Sequence, residues 1–213
     1  MKAVILDFDG TIADTQNSII QAIQATLQEL QLPFANKKTI KELIGLPLKD
    51  TFEKAAHIED QQIMEKAIIT YRKLYSSISF NNIDLFPNVK NTLKILHKKG
   101  TIITVASSKG KDALQKLLDK LEISQFITLA FGEQDVKNKK PAPDMVVQIL
   151  NKIEVKPCET IVVGDTIYDI EMGQRAECIT CGVTYGNHLK AQLEQQRADY
   201  IIDNFAELLN IIA

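Results

Sequence analysis

From about Leu85 onward the chain alternates short unbroken apolar runs, TIITVAS, FITLAF, TIVVGD, CITCGV and YIID, with segments of helical period. A run that is apolar at every position, rather than at every second one, belongs to a strand buried on both faces. Strands of that kind separated by helices form a parallel sheet with helices on either side. The opening segment KAVILDF has the same character. Directly after it the period changes. DTQNSIIQAIQATLQELQL places Ile19, Ile23, Leu27 and Leu30 at helical spacing, and DQQIMEKAIITYRKLYSSI does the same with Met64, Ala67, Tyr71, Leu74 and Ile78. The expectation is an α/β fold, a Rossmann-like parallel-sheet core of residues 1–13 and 85–213, with a small α-helical domain of residues 14–84 inserted after the first strand.

Composition narrows the partners. With 213 residues, 45% of them apolar, and a net charge of -2, the chain has enough apolar material for a sizeable core. Its charge is dispersed, with no basic tract beyond Lys137 to Lys140, which argues against nucleic acid and against anionic membrane. No apolar run approaches the roughly 20 residues of a membrane span, and Met1 leads straight into a strand pattern, so a cytoplasmic protein is expected. Cys158, Cys178 and Cys181 do not form a disulfide framework. Cys178 and Cys181 make a C-x-x-C inside an apolar strand, with no second pair to complete a metal site, and read as small hydrophobes. His57, His97 and His188 have no partners at metal-ligand spacing.

In open parallel sheets ligands bind at the carboxyl ends of the strands. Asp7 and Asp9 follow KAVIL, Ser107 and Ser108 follow TIITVA, and Asp165 follows TIVVG with Asp169 one helical turn on. All of these fall on one edge. Lys140, in KNKKPAPD, precedes a helix that Pro143 and Asp144 are suited to begin, and is placed to reach the same edge. Gathering four carboxylates is costly, because two unit charges about 4 Å apart repel by about 4 kcal/mol at an effective dielectric of 20. A divalent ion removes that cost. An all-oxygen donor set without His or Cys favours a hard cation, and Mg²⁺ suits a site with few protein ligands. A cation beside a lysine and a hydroxyl points to a phosphate or another oxyanion as substrate.

These residues carry a resemblance. DFDGT at Asp7 to Thr11, Ser107 after the second core strand, Lys140 in KKPAPD and GDTIYD at Gly164 to Asp169 resemble the four motifs of the haloacid dehalogenase-like hydrolase superfamily, in their usual order. The helical insertion and LFPNV at Leu85 to Val89 are similar to its phosphoglycolate phosphatase-like branch with an α-helical cap. The resemblance implies a Mg²⁺-dependent phosphatase acting on a small phosphorylated metabolite. Asp7 would be the nucleophile that becomes an aspartyl-phosphate, and Asp9 the acid and then the base. Mg²⁺ would be held by Asp7, Asp165 and the backbone carbonyl of Asp9. Ser107, Ser108 and Lys140 would hold the phosphoryl oxygens, with Asp169 orienting Lys140 or metal-bound water.

Bland readings exist for each residue alone: Asp9-Gly10 as a turn, Asp165 or Thr166 as a helix cap, Lys140 as one of a solvated run. Other functions share the parts. An inorganic pyrophosphatase and a phosphomutase of the β-phosphoglucomutase type use the same core. A dehalogenating relative needs neither Asp9 nor a metal, and a phosphoacceptor signalling domain needs no helical cap. Substrate choice is expected to fall to IGLPLKD, where Gly45 and Pro47 break the helical period. There Lys49 is placed to meet a second negative charge on the substrate.

Overall fold

The computed structural model describes residues 1–79 and 82–212. A six-stranded sheet forms its centre: β1 (Ala3–Leu6), β4 (Ile102–Ala106), β5 (Leu129–Phe131), β6 (Thr160–Gly164), β7 (Ile179–Val183) and β8 (Tyr200–Ile202). The spatial order is β5-β4-β1-β6-β7-β8 and every pairing is parallel. Ala3 is opposite Ile102 on one side and Thr160 on the other, and Leu6 is opposite Val105 and Val163. The chain therefore fills one side of β1 first and the other side afterwards, which puts the topological switch point at the end of β1.

Burial on both faces explains the unbroken apolar runs. Ile5 and Val162 face a layer that includes Met145 and Ile149 of helix α7 (Asp144–Ile153). Val4, Leu6, Ile103, Val105, Ile161 and Val163 face the opposite layer, packed with Val89, Leu93 and Leu96 of α5 (Val89–Lys98). Cys178 and Cys181 are buried free thiols, pushed up to about 12 by that burial. They are packing groups here. The remaining core helices are α6 (Lys111–Lys120), α8 (Ile167–Arg175), α9 (Lys190–Gln195) and α10 (Leu208–Ile211).

Between β1 and β4 in the chain lie α1 (Gln16–Glu29), α2 (Lys37–Leu43), α3 (Leu48–Ala56) and α4 (Gln61–Ser79). The block is bracketed by a two-stranded antiparallel ribbon, β2 (Ala13–Asp14) with β3 (Asp84–Leu85), in which Ala13 is opposite Leu85. Ile19, Ile23 and Leu27 form the buried stripe of α1. Asn36 caps α2 by accepting from the Thr39 amide at 2.9 Å, and Asp60 starts α4 by accepting from the amides of Gln62 and Ile63. Among its described residues the expected inserted segment thus contains four helices. Phe80 and Asn81 within it lie outside the described residues. Among the described residues no helix is long and apolar enough to cross a membrane.

Candidate active site

The turn after β1 brings two acids to the switch point. The Asp7 amide still donates to the Val163 carbonyl at 2.9 Å, after which the chain leaves the sheet. Gly10 takes φ of +95°, and a β-carbon there would stand 2.2 Å from Asp165 Oδ2. Only glycine lets the turn pass that close to the neighbouring carboxylate.

Asp165, fully buried, follows β6. Its Oδ1 accepts from the Thr11 hydroxyl at 3.1 Å, and its Oδ2 from both the amide and the side chain of Asn187, each at 2.7 Å. The Asn187 side chain also reaches the Asp9 carbonyl, at 3.4 Å, which draws that carbonyl toward Asp165. Asp169 closes a capping box on α8: its Oδ2 accepts from the Thr166 amide at 3.0 Å and hydroxyl at 2.7 Å. Its Oδ1 accepts from Lys140 Nζ at 2.6 Å, and the same ammonium lies 2.5 Å from Asp7 Oδ1. Lys140 is 1% exposed. It is the centre of a buried triad rather than a member of a solvated run.

Asp7, Asp165 and Asp169 offer oxygens that lie within 4.8 Å of one another. At that separation each pair of charges repels by about 3 kcal/mol at an effective dielectric of 20. Burial pushes the Asp7 carboxyl well above the usual carboxylate range; Lys140 opposes this, and Asp169, Asp165 and Asp9 add to it. Asp165 is pushed up to about 7, by burial first and then by Asp169, against the hydrogen bonds from Asn187 and Thr11. One lysine does not neutralise three buried acids. An all-oxygen set that is short of positive charge fits a hard divalent cation.

Ser107, fully buried after β4, is tied to the sheet through its amide to the Phe131 carbonyl at 3.0 Å. Its hydroxyl accepts from the Lys109 amide at 3.1 Å. Ser108 is placed differently. Its hydroxyl donates to the Gly45 carbonyl at 2.7 Å, so its proton goes to the helical block. Gly45 itself has φ of +102°, and a β-carbon there would be 2.9 Å from the Thr166 hydroxyl. The stretch IGLP therefore sits on the core at the N-terminus of α8.

Lys49 directly follows the interhelical turn but does not line the cleft that holds Asp7 and Asp9. Only residues 44–47 form the interhelical turn, and Lys49 is exposed in the first turn of α3. Leu48 and Thr51, three apart on one helical face, line the cleft with Asp7 and Asp9, while Lys49 borders an adjoining groove that shares Leu48, Arg72 and Glu133 with the cleft and is also lined by Lys140.

Other side chains that sequence reasoning passed over line this cleft or join the helical block to the core beside it. Lys109 Nζ lies 3.1 Å from Asp9 Oδ1 and hydrogen-bonds the Tyr75 hydroxyl of α4 at 3.0 Å. Arg72 of α4 pairs with the buried Glu133 at 2.6 Å. His188, buried beyond β7, accepts from the Ile167 amide at 3.2 Å through Nδ1, while Nε2 stands 3.2 Å from the Glu42 carbonyl. Lys109 and Asn187 follow strand ends and were open to the same edge criterion that selected Ser107. Nothing local in the sequence marks the Arg72–Glu133 or His188–Glu42 pairs, which join segments far apart in the chain.

Residues 4–183 match the family model of the haloacid dehalogenase-like hydrolases. The chain belongs to that family. Similar proteins of this hydrolase include the probable phosphatase IndB of Dickeya dadantii, 30% identical, covering 97% of this chain and 91% of that protein. The pyrophosphatase PpaX of Oceanobacillus iheyensis is also 30% identical, over 100% and 97%. A phosphoglycolate phosphatase of Salmonella typhi is 27% identical, over 98% and 91%. Among solved structures, a predicted phosphoglycolate phosphatase from Haemophilus somnus superposes with a TM-score of 0.92 at 25% identity, covering 100% of this chain and 98% of that one.

Proposed function

We propose that this hydrolase is a Mg²⁺-dependent phosphatase that cleaves a small phosphate monoester through an aspartyl-phosphate on Asp7. The observation that carries the reading is the buried bridge of Lys140 between Asp7 and Asp169, at the switch point of the sheet and beside Asp165. Asp7 and Asp165, with the Asp9 carbonyl, would hold the cation. When bound it neutralises the carboxylates and draws charge from the phosphoryl oxygens.

Asp7 attacks phosphorus in line, forming an acyl phosphate as the ester P–O bond breaks. Asp9 gives its proton to the departing alkoxide, then takes one from the water that hydrolyses the intermediate, returning Asp7 and releasing inorganic phosphate. Lys140 and Ser107 stand where charge spreads over the transferring oxygens, a type of contact worth about 10² to 10³ in rate. The helical block acts as a cap, fastened to the core through Ser108–Gly45, His188–Glu42, Arg72–Glu133 and Lys109–Tyr75. In that position it shields the site from bulk solvent while leaving room for the one water that Asp9 activates. Pyrophosphate belongs beside phosphoglycolate in a substrate panel, because PpaX aligns over the whole chain.

The test is turnover of phosphoglycolate, pyrophosphate, hexose phosphates and nucleotides with and without chelator, for the native chain and Asp7→Asn. Hydrolysis that survives chelation, or that folded Asp7→Asn retains, overturns the mechanism.

A further inference from the structure

Lys109 is an ammonium with donors to spare. Its side chain is 7% exposed, and it lines the cleft with Asp7 and Asp9. An ammonium carries three N–H donors. Among the described residues Nζ has one hydrogen-bond acceptor, the Tyr75 hydroxyl at 3.0 Å. Asp9 Oδ1, 3.1 Å away, is close enough for an ion pair but is not aligned for a hydrogen bond and has none from any other group. Asp9 balances the charge, but the ammonium keeps unmet N–H donors where it lines the cleft, and a buried unmet donor is costly unless an acceptor completes it.

The position is built rather than incidental. The Lys109 amide donates to Ser107 Oγ and its carbonyl accepts from the Glu133 amide at 3.0 Å, which fixes the backbone on both sides. Tyr75 is held by stacking on Tyr71, with ring centroids 5.5 Å apart, and Tyr71 meets Phe52 edge-on. The ammonium also lies over the Tyr75 ring, 4.3 Å from its centroid. Burial disfavours the Lys109 charge, yet Asp9, Tyr75 and Tyr71 outweigh it and hold the ammonium above the ordinary lysine range.

We infer that Lys109 is a specificity residue that receives a second anionic group on the substrate's leaving portion. This rests on the phosphatase reading above, in which Lys140 and Ser107 serve the transferring phosphoryl group. Asp9 serves the leaving oxygen, and Lys109 stands on the Asp9 side. Ile19, Ile23, Ile44, Leu46 and Leu48 supply apolar walls, Arg72 also lines the cleft but is paired with Glu133 at 2.6 Å, and the cavity is about 80 Å³. That space takes a leaving group of few atoms. The substrate class is a small phosphate ester or anhydride whose leaving group carries its own carboxylate or phosphate, and Lys109 has the place in the cleft that sequence reasoning gave to Lys49.

The experiment compares kcat/KM for phosphoglycolate and pyrophosphate with that for ethyl phosphate, which lacks a second anion, in the native chain, Lys109→Met and Lys109→Arg. The native chain is expected to prefer at least one doubly anionic substrate. Lys109→Met is expected to lower that preference by about tenfold to a hundredfold, the scale of one lost charge-assisted hydrogen bond, mainly through KM. Lys109→Arg is expected to recover part of it. Parallel losses on all substrates in Lys109→Met, or no recovery with Arg, overturn the assignment. So does a native chain that prefers ethyl phosphate, a measurement that needs no variant to fold. Absence of Asp7-dependent hydrolysis of any phosphate would instead bring down the phosphatase reading itself.

Discussion

Lys140 Nζ bonds Asp169 Oδ1 at 2.6 Å, and neither side chain has any exposed surface. Since Asp169 also caps α8 through Thr166, the ammonium is held by a rigid element while its other contact, Asp7, faces the cleft.

Removing that ammonium leaves two buried carboxylates without their cation. Lys140→Met is expected to lose about 3 to 5 kcal/mol of stability in urea unfolding, the scale for breaking a buried ion pair. Its kcat/KM should fall by about 10² or more on every phosphate substrate. A variant with native stability would mean the triad contributes nothing to the fold.

The two shifted acids set a pH dependence. Asp165 is raised to about 7 and Asp7 is raised in the same direction, from a carboxyl value of 3.8 in the unfolded reference. The folded state therefore binds protons more tightly than the unfolded one. Their contribution to stability is complete below about pH 4 and is lost as the pH rises through about 7. Chelator-treated protein should show this as a falling component of Tm, and Mg²⁺ should raise Tm far more near pH 8 than near pH 5, where protons compete for the carboxylates. Thermal scans across that range check both halves. A Mg²⁺ effect that is equal at the two ends would place the ion elsewhere.

Asp9 and the leaving group are linked by proton demand. Asp9→Asn should cost about 10² to 10⁴ on an alkyl phosphate and much less on an activated aryl phosphate, whose leaving group departs without a proton. Steady-state kinetics on the pair separate the roles. Equal losses would remove Asp9 as the acid.

The helical block is seated partly by His188, whose two ring nitrogens face the Ile167 amide and the Glu42 carbonyl. His188→Ala leaves both backbone groups without their partner, at about 1 to 3 kcal/mol. Amide hydrogen exchange in α2 is expected to accelerate, and kcat to fall as closure weakens. Unchanged exchange in α2 would show that the seat is made by the other contacts alone.

What could be read along the chain was what repeats or ends locally. KAVIL, TIITVA and TIVVG are apolar at every position because both faces of the sheet are covered, and the polar residues directly after them had to lie at one edge. That is why Asp7, Asp9, Ser107 and Asp165 were legible, and why Lys109 and Asn187, at the same kind of position, were within reach of the same reasoning. Strand lengths were less so: YIID ends at Ile202 and KAVILDF at Leu6, because the apolar pattern continues for a residue or two after the ladder stops.

The sequence by itself determined the parallel sheet and the acids at its switch point, since hydrophobic period and strand-end chemistry are properties of neighbours in the chain. Tertiary structure alone decided which cations line the cleft with Asp7 and Asp9. A helical turn rotates Lys49 off the face that carries Leu48 and Thr51, whereas Tyr75, 34 positions away in sequence, comes down on Lys109 and holds it beside Asp9. Side-chain direction on a docked helix depends on how that helix is seated against the core, and the contacts that seat it are made between residues that are remote along the chain.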